Sequence, residues 1–447
     1  MLPPVIYLNC HDAGRMVEPY GFPVAAPNLQ RFAGEAILFR NAHCAGPTCS
    51  PSRAALLTGR YPHQVGMMGL AHRGFGLRDY DEHLARRLKR LGYRTLLSGV
   101  QHVAHSADLI GYDEVLSAPW RGLPLHDISN AVNAAQAIEA HGGEPFYLEC
   151  GFFYPHRPFP PAPASSPACY IPAFLPDSPE TRADMNAFRE GMRIADQAFG
   201  LVLDAVRASG LWDKAIIIIT TDHGPAFPFA KCNHNDQGTG VMLMMRIPGV
   251  SAPATCDALV SHLDLLPTIL QQLGQPAEAH LEGRSLLPLL AGPDAFEGRA
   301  LVCSTTYHAA YEPTRSLRTA RYRYVRRFDS SWQWPILPNI DDGPSKEIIC
   351  DELFRRQPLE PEALYDLHLD PTCACNRIAD PAYACVAADL AARLTGWMKE
   401  KDDPLLHGPV PPPGDALIIP PDAYSPLLPE NAAPCIRAEA APPGVME

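Results

Sequence analysis

Four short apolar runs in this chain stop at polar, chemically capable residues, and together they restrict the fold more than any other feature. Pro4–Leu8 (PVIYL) runs into Asn9-Cys10-His11-Asp12, and Arg94–Gly99 (RTLLSG) is followed by Gln101-His102. Pro145–Cys150 (PFYLEC) leads to Tyr154-Pro155-His156-Arg157, and Lys214–Thr221 (KAIIIITT) leads to Asp222-His223-Gly224. Runs rich in Ile, Leu and Val without alternation mark strands covered on both faces. Helical spacing of apolar residues lies between them, over Asp81–Leu91 and Met185–Ser209. Strands alternating with helices predict an α/β fold with a large mixed, mostly parallel sheet sandwiched by helices. Ligands of such sheets sit beyond the carboxyl ends of the strands. His11, Asp12, His102, His156, Asp222 and His223 are therefore expected on one rim.

A chain of 447 residues, 47% hydrophobic and 19% charged, is long for one core. The expected division is a catalytic α/β unit over residues 1–300, a small antiparallel sheet with a helix over 301–403, and a Pro-rich tail over 404–447. Arg315–Phe328 alternates like a half-exposed strand, and Ala384–Lys401 reads as a closing amphipathic helix. The tail is expected to be an extended arm or disordered. Wrapped around a neighbouring subunit, it would make a homo-oligomer. No internal repeat is present.

The net charge of −12, with no Lys/Arg block interleaved with aromatics, excludes nucleic acid as the expected partner. The N-terminal segment has no basic region before its short apolar stretch, and nothing approaches the roughly 18 apolar residues of a membrane span. The expectation is a cytoplasmic protein. Its 13 cysteines, an odd number in a large chain, read as mostly reduced thiols, and Cys373-Ala-Cys375 lacks zinc-site spacing. Met242, Met244 and Met245 read as core strand residues, and His63 as a buried histidine or a pocket residue.

His11-Asp12 and Asp222-His223 each end a strand with a carboxylate and an imidazole. Converging, they suit a divalent cation; separately, each Asp would cap a turn and each His would satisfy a carbonyl. Cys49 precedes Ser50-Pro51-Ser52-Arg53, with Pro51 placed for the first turn of a helix. Residue 49 then sits where unpaired N–H groups favour negative charge, with Arg53 one turn on. A buried thiol and an activated thiolate are the alternatives; both leave Pro51 and Arg53 unexplained.

Cys49-Ser50-Pro51-Ser52-Arg53 with Thr58-Gly59-Arg60 resembles the signature of the sulfatase family, in the alkaline phosphatase superfamily. Phe39–Leu70, Tyr154–Phe159, His262–Gly274, Glu282–Leu290 and Leu364–Pro371 also look like sulfatase segments, in sulfatase order. Sulfamidases and bacterial arylsulfatases are the members most alike in look. The resemblance implies a sulfuric ester hydrolase whose Cys49 is oxidised by a formylglycine-generating enzyme to formylglycine, the nucleophile toward sulfur. It implies one divalent ion, calcium or manganese, held by Asp12, Asp222, His223 and residue 49, with His11 in place of a usual aspartate. It further implies Arg53 on the metal-site oxygens, His102 as the base for the second hydroxyl, His156 near the leaving oxygen and Lys231 on the sulfate. The substrate implied is a small anionic sulfate ester or sulfamate.

Departures from the family pattern bear on substrate and metal. His11 replaces one carboxylate, and more imidazole favours manganese over calcium. Val100 stands where the family often has a Lys, leaving His105 and Arg73 as possible replacements; His72 and Arg73 face either substrate or solvent. The Asp222-His223 pair is the form found in phosphonate monoester hydrolases, so a phosphonate or phosphodiester substrate is the alternative. A sulfatase-like binding protein with an unmatured thiol, and a cysteine-rich zinc or redox protein, are the further alternatives.

Overall fold

The computed structural model describes residues 2–118, 123–162, 170–291, 296–350 and 358–427. Its largest sheet has eight strands, in the order Glu114–Val115, Arg94–Gly99, Phe146–Phe152, Val5–Cys10, Ile216–Thr221, Leu243–Arg246, Ile37–Phe39 and Ala254–Cys256. Val5–Cys10 pairs in parallel with Phe146–Phe152 on one side and Ile216–Thr221 on the other. Cys10 stands level with Phe152 and with Thr221, so the chain leaves all three strands at one height. That register is why His11-Asp12, the loop bearing His156, and Asp222-His223 meet. Leu243–Arg246 pairs antiparallel with Ile216–Thr221, which makes the sheet mixed, mostly parallel as expected.

Both faces of the sheet are covered. Ile6, Leu8, Leu148, Ile217 and Ile219 face one core with Ile138 and Phe188, from helices Leu123–His141 and Pro179–Ala208. Val5, Tyr7, Tyr147, Ile216 and Ile218 face the other with Leu57, Leu88 and Ile269, from helices Cys49–Thr58, Leu84–Arg90 and Leu265–Gln272. Each fully buried aliphatic side chain contributes about 1.5–3 kcal/mol. Beneath His102 the backbones close in: a methyl group at Gly99 would stand 2.1 Å from the Gly151 carbonyl oxygen.

The helix expected over Asp81–Leu91 is shorter. His83 takes an extended conformation and its Nδ1 accepts from Ala85 N, so a 3-10 turn ends there and the helix runs Leu84–Arg90. The helix expected from Met185 begins at Pro179, where Ser178 caps it. Arg315–Phe328 is not one strand but parts of two, Tyr311–Arg318 and Tyr322–Arg327. Thr319 turns the chain, its N donating to Tyr322 O and its Oγ1 accepting from Tyr322 N. Alternation continues through that turn and hides it.

These strands form a four-stranded antiparallel sheet with Leu301–Tyr307 and Glu362–Asp366. Helix Ala384–Glu400 covers it through Leu390, Leu394 and Met398. Ala45, Ala55, Tyr61 and Leu263 join the same core, which welds the smaller sheet to the larger unit. The tail as far as Leu427 lies back on its own chain: Leu417 N donates to Arg73 O and Ile419 N to Ala309 O, each at 2.9 Å. Residues 428–447 lie outside the described residues. Among the described residues no helix is long and apolar enough to cross a membrane.

Candidate active site

Cys49 opens the helix Cys49–Thr58, all ten residues of which are buried. Thr48, the preceding residue, is extended and makes no side-chain cap, so the first-turn N–H groups keep their preference for negative charge. Ser52 Oγ donates to the Asp222 carbonyl at 2.5 Å, which ties the helix to the end of the Ile216–Thr221 strand. Cys49 Sγ then lies 3.2 Å from His223 Nε2 and 3.9 Å from Asp12 Oδ1.

Asp12 adopts a left-handed conformation, φ 47°, which costs a non-glycine residue about 1–2 kcal/mol. Its N–H donates to Asp222 Oδ1 at 2.9 Å, and Ala13 N donates to Thr221 Oγ1 at 3.1 Å; these bonds hold the turn. Asp222 also accepts from His223 N at 3.0 Å and from Arg53 Nε at 3.1 Å. Burial works to raise the Asp222 pKa, but His223, Arg53 and His11 outweigh it and hold the carboxyl well below the usual range. Arg53 is itself buried and also donates to Asn9 Oδ1 and to the Cys10 carbonyl.

His11 Nδ1 sits 3.1 Å from Asp222 Oδ2, and its Nε2 has no hydrogen-bond partner among the described residues. Burial, with Arg53 adding to it, pushes its pKa down to about 3, so the imidazole is neutral. Single ligand atoms from His11, Asp12, Cys49 and Asp222 all lie within 4.8 Å of one another. A buried neutral imidazole with an unpartnered Nε2, beside two carboxylates, is a donor set that fits a divalent cation. His223 adds Nε2, 3.3 Å from Asp12 Oδ1, while its Nδ1 is on the Gly224 carbonyl at 2.9 Å.

Three further residues close on this cluster. His102, also left-handed at φ 53°, sets its ring 5.5 Å from that of His11. Its Nε2 lies 3.0 Å from His72 Nδ1, with the two rings stacked, and its Nδ1 has no hydrogen-bond partner among the described residues. Burial foremost, then His72 and His11, holds its pKa well below the usual value. His156 Nδ1 bonds the Arg157 carbonyl and its Nε2 is 3.8 Å from Asp12 Oδ2. Lys231 Nζ bridges Asp12 Oδ2 at 3.2 Å and Asp341 Oδ2 at 3.0 Å, fully enclosed.

The nine residues singled out in the sequence therefore occupy one site, and the structure adds partners to them. Asn9 anchors Arg53, and its position in an otherwise apolar strand end is the signal that could have found it. His72 proves buried against His102, not solvated. Asp341, Lys231's partner, carries no local pattern pointing to the site. Of the residues considered in place of the missing lysine, His105 is exposed, and Arg73 is buried and donates to the Pro426 carbonyl.

Known sulfatases resemble this chain in sequence and in fold. The chain is 28% identical over 443 residues to the N-sulphoglucosamine sulphohydrolase of Homo sapiens, spanning 86% of this chain and 88% of that protein. A solved 2-O glycosaminoglycan sulfatase shares the fold with a TM-score of 0.70 at 20% identity, over 91% of this chain and 94% of that one. A protein solved in complex with its substrate D-glucosamine-2-N,6-O-disulfate does so at 0.69 and 17% identity, over 92% and 99%. The sulfatase family model matches residues 5–275. The chain belongs to the sulfatase family and is a sulfuric ester hydrolase.

Proposed function

We propose that the protein is a formylglycine- and divalent-metal-dependent hydrolase of sulfate esters or sulfamates. One observation carries this: Cys49 heads a buried helix with its sulfur facing Asp12 and His223, inside the cluster that includes His11 and Asp222. Asp12, Asp222, His11 and His223, with residue 49, would hold the ion. When bound, it supplies Lewis acidity that makes the nucleophile easier to deprotonate and polarises the sulfate. Two carboxylates with imidazole favour manganese over calcium. Cys49 matured to formylglycine, as its hydrate, supplies one hydroxyl for attack on sulfur and a second whose ionisation releases sulfate.

The remaining residues prepare that chemistry. Arg53 neutralises Asp222 and fixes it against Asn9 and the Cys10 carbonyl. Lys231 offsets Asp12 and presents a cation to the sulfate, electrostatic support already in place before reaction. His102 presents an unpartnered Nδ1 and takes the proton of the second hydroxyl, its ring held by His72. His156, with Nδ1 on the Arg157 carbonyl and Nε2 3.8 Å from Asp12 Oδ2, exchanges a proton with the leaving group.

The N-sulfated glucosamine in the human relative's name, and the substrate bearing N- and O-sulfate on the solved neighbour, support a sulfated amino sugar. The imidazole of His223 beside Cys49 favours a second reading, a phosphonate or phosphodiester hydrolase. The test has two arms on protein co-produced with a formylglycine-generating enzyme. Mass spectrometry of peptide Asn41–Arg53 should locate the aldehyde at residue 49, not at Cys44. Turnover should be faster for glucosamine N-sulfate and aryl sulfate than for aryl phosphonate. The reverse order moves the assignment to the second reading, and protein that stays wholly unconverted at residue 49 refutes both.

A further inference from the structure

The His72–His102 pair does not stand alone; the turn that carries it is gripped from outside. Ala71–Arg73 form a 3-10 turn closed by Gly74, and the tail runs directly against it. A methyl group at Gly74 would stand 3.0 Å from the Cα of Ala416, Leu417 N donates to Arg73 O, and the Arg73 guanidinium donates to the Pro426 carbonyl. Farther along, next to the Pro426 carbonyl that Arg73 holds, the same tail grips a second loop. Lys346 Nζ donates to Tyr424 O at 2.6 Å and lies over the Tyr424 ring, while Ser425 Oγ donates to Asp342. Lys346 also donates to Asp342 Oδ1 and to the Ile340 carbonyl. Between those two residues sits Asp341, which holds Lys231.

We propose that residues 416–426 are a positioning strap of the active site: joined both to Arg73 and to Lys346 and Asp342, they fix the His72–His102 pair relative to Lys231. The proposal rests on the assignment of His102 and Lys231 given above. The two pairs sit on separate loops that both touch the His11-Asp12 turn, and the strap joins those loops a second time from outside. Ile419 is buried, and Ala416 and Ile418 pack on the core beneath the sheet, so the strap is itself anchored between its two grips. None of its residues touches the reacting atoms; it acts through the groups it holds.

The test uses the matured full chain in four variants: Lys346→Met, Lys346→Arg, Ser425→Ala, and Lys346→Met combined with Arg73→Met. With a small aryl sulfate, Lys346→Met should lower kcat about tenfold with KM within twofold, as misplacement of catalytic groups does. Lys346→Arg should restore most of it. The double variant should lose little more kcat than Lys346→Met alone, because either cut slackens the same strap. Hydrogen exchange supplies a readout independent of turnover: Lys346→Met should speed exchange across residues 70–75, the other loop that the strap holds. Ser425→Ala, a change of one hydroxyl that the fold tolerates, should show both effects in smaller measure. Unchanged exchange at 70–75 with kcat within twofold, in folded and fully converted protein, overturns the strap. Cys49→Ala and Lys231→Ala run in parallel keep the two readings apart. If those retain turnover the site assignment fails; if they are dead while strap variants run at full rate, only the strap fails.

Discussion

Arg53 Nε donates to Asp222 Oδ2 at 3.1 Å, with the two side chains 1% and 0% exposed. A pair so enclosed is costly to break from one side, because the partner stays behind as an uncompensated charge. Arg53→Ala should destabilise the protein by about 3–5 kcal/mol, read as a lower urea midpoint. Arg53→Lys should recover only part of that, since one ammonium cannot serve Asp222, Asn9 and the Cys10 carbonyl together.

Cys49→Ala should abolish turnover while leaving the urea midpoint within about 1 kcal/mol of the parent, the sulfur being a small group to lose. Substantial hydrolysis by metal-loaded Cys49→Ala protein would sink the proposed mechanism.

Lys231→Ala should reduce kcat by about 10²–10³, the scale of losing one preorganised electrostatic contact. Asp341→Asn, which keeps the lysine and removes only its second carboxylate, should cost far less. Equal losses in the two variants would mean that Lys231 works through structure alone.

His83 offers a pH test away from the reaction. Its Nδ1 caps the Leu84–Arg90 helix, and burial, aided by Arg86, lowers its pKa from 6.5 to about 3. The unfolded chain therefore takes a proton that the folded one refuses. Stability from this group is complete above pH 6.5 and falls as the pH drops toward 3, by at most about 1.4 kcal/mol per unit. His83→Asn keeps a cap but does not titrate. Its stability loss between pH 7 and pH 5 should be smaller than the parent's by about 1–2 kcal/mol, measured by urea denaturation.

Manganese should raise the melting temperature more than calcium at equal concentration. A ligand at about 100 times its Kd stabilises by about 2.7 kcal/mol. In His11→Ala the manganese increment should shrink, and calorimetric titration should show the weaker affinity. An unchanged increment would remove His11 from the ligand set.

The strand ends of the large sheet were legible because buried parallel strands write themselves as unbroken apolar runs, and parallel register brings whatever follows them to one level. Asp12, His156 and Asp222 needed little more. Helix Leu123–His141 went unread: its buried face is largely alanine, and the apolar stripe is faint. The hairpin at Thr319 was missed because alternation carries on through a tight turn. His72, Asp341 and the course of the tail belong to another class. Each matters through a partner distant in sequence, His102, Lys231 and Arg73 respectively, and no local pattern encodes such a pairing.

Cys49 is 1% exposed, on a helix held down by a bond from Ser52 to a residue 170 positions farther along the chain. A small anion has far less to reach there than an enzyme, which must draw a stretch of target backbone into its own cleft. On the proposed function, oxidation of this residue would have a deadline. It belongs to the interval before the strand ending at Thr221 arrives and seals the helix in place, and a molecule that folds early keeps its thiol for life. The fraction of active protein in any preparation would then record the outcome of a race between folding and modification.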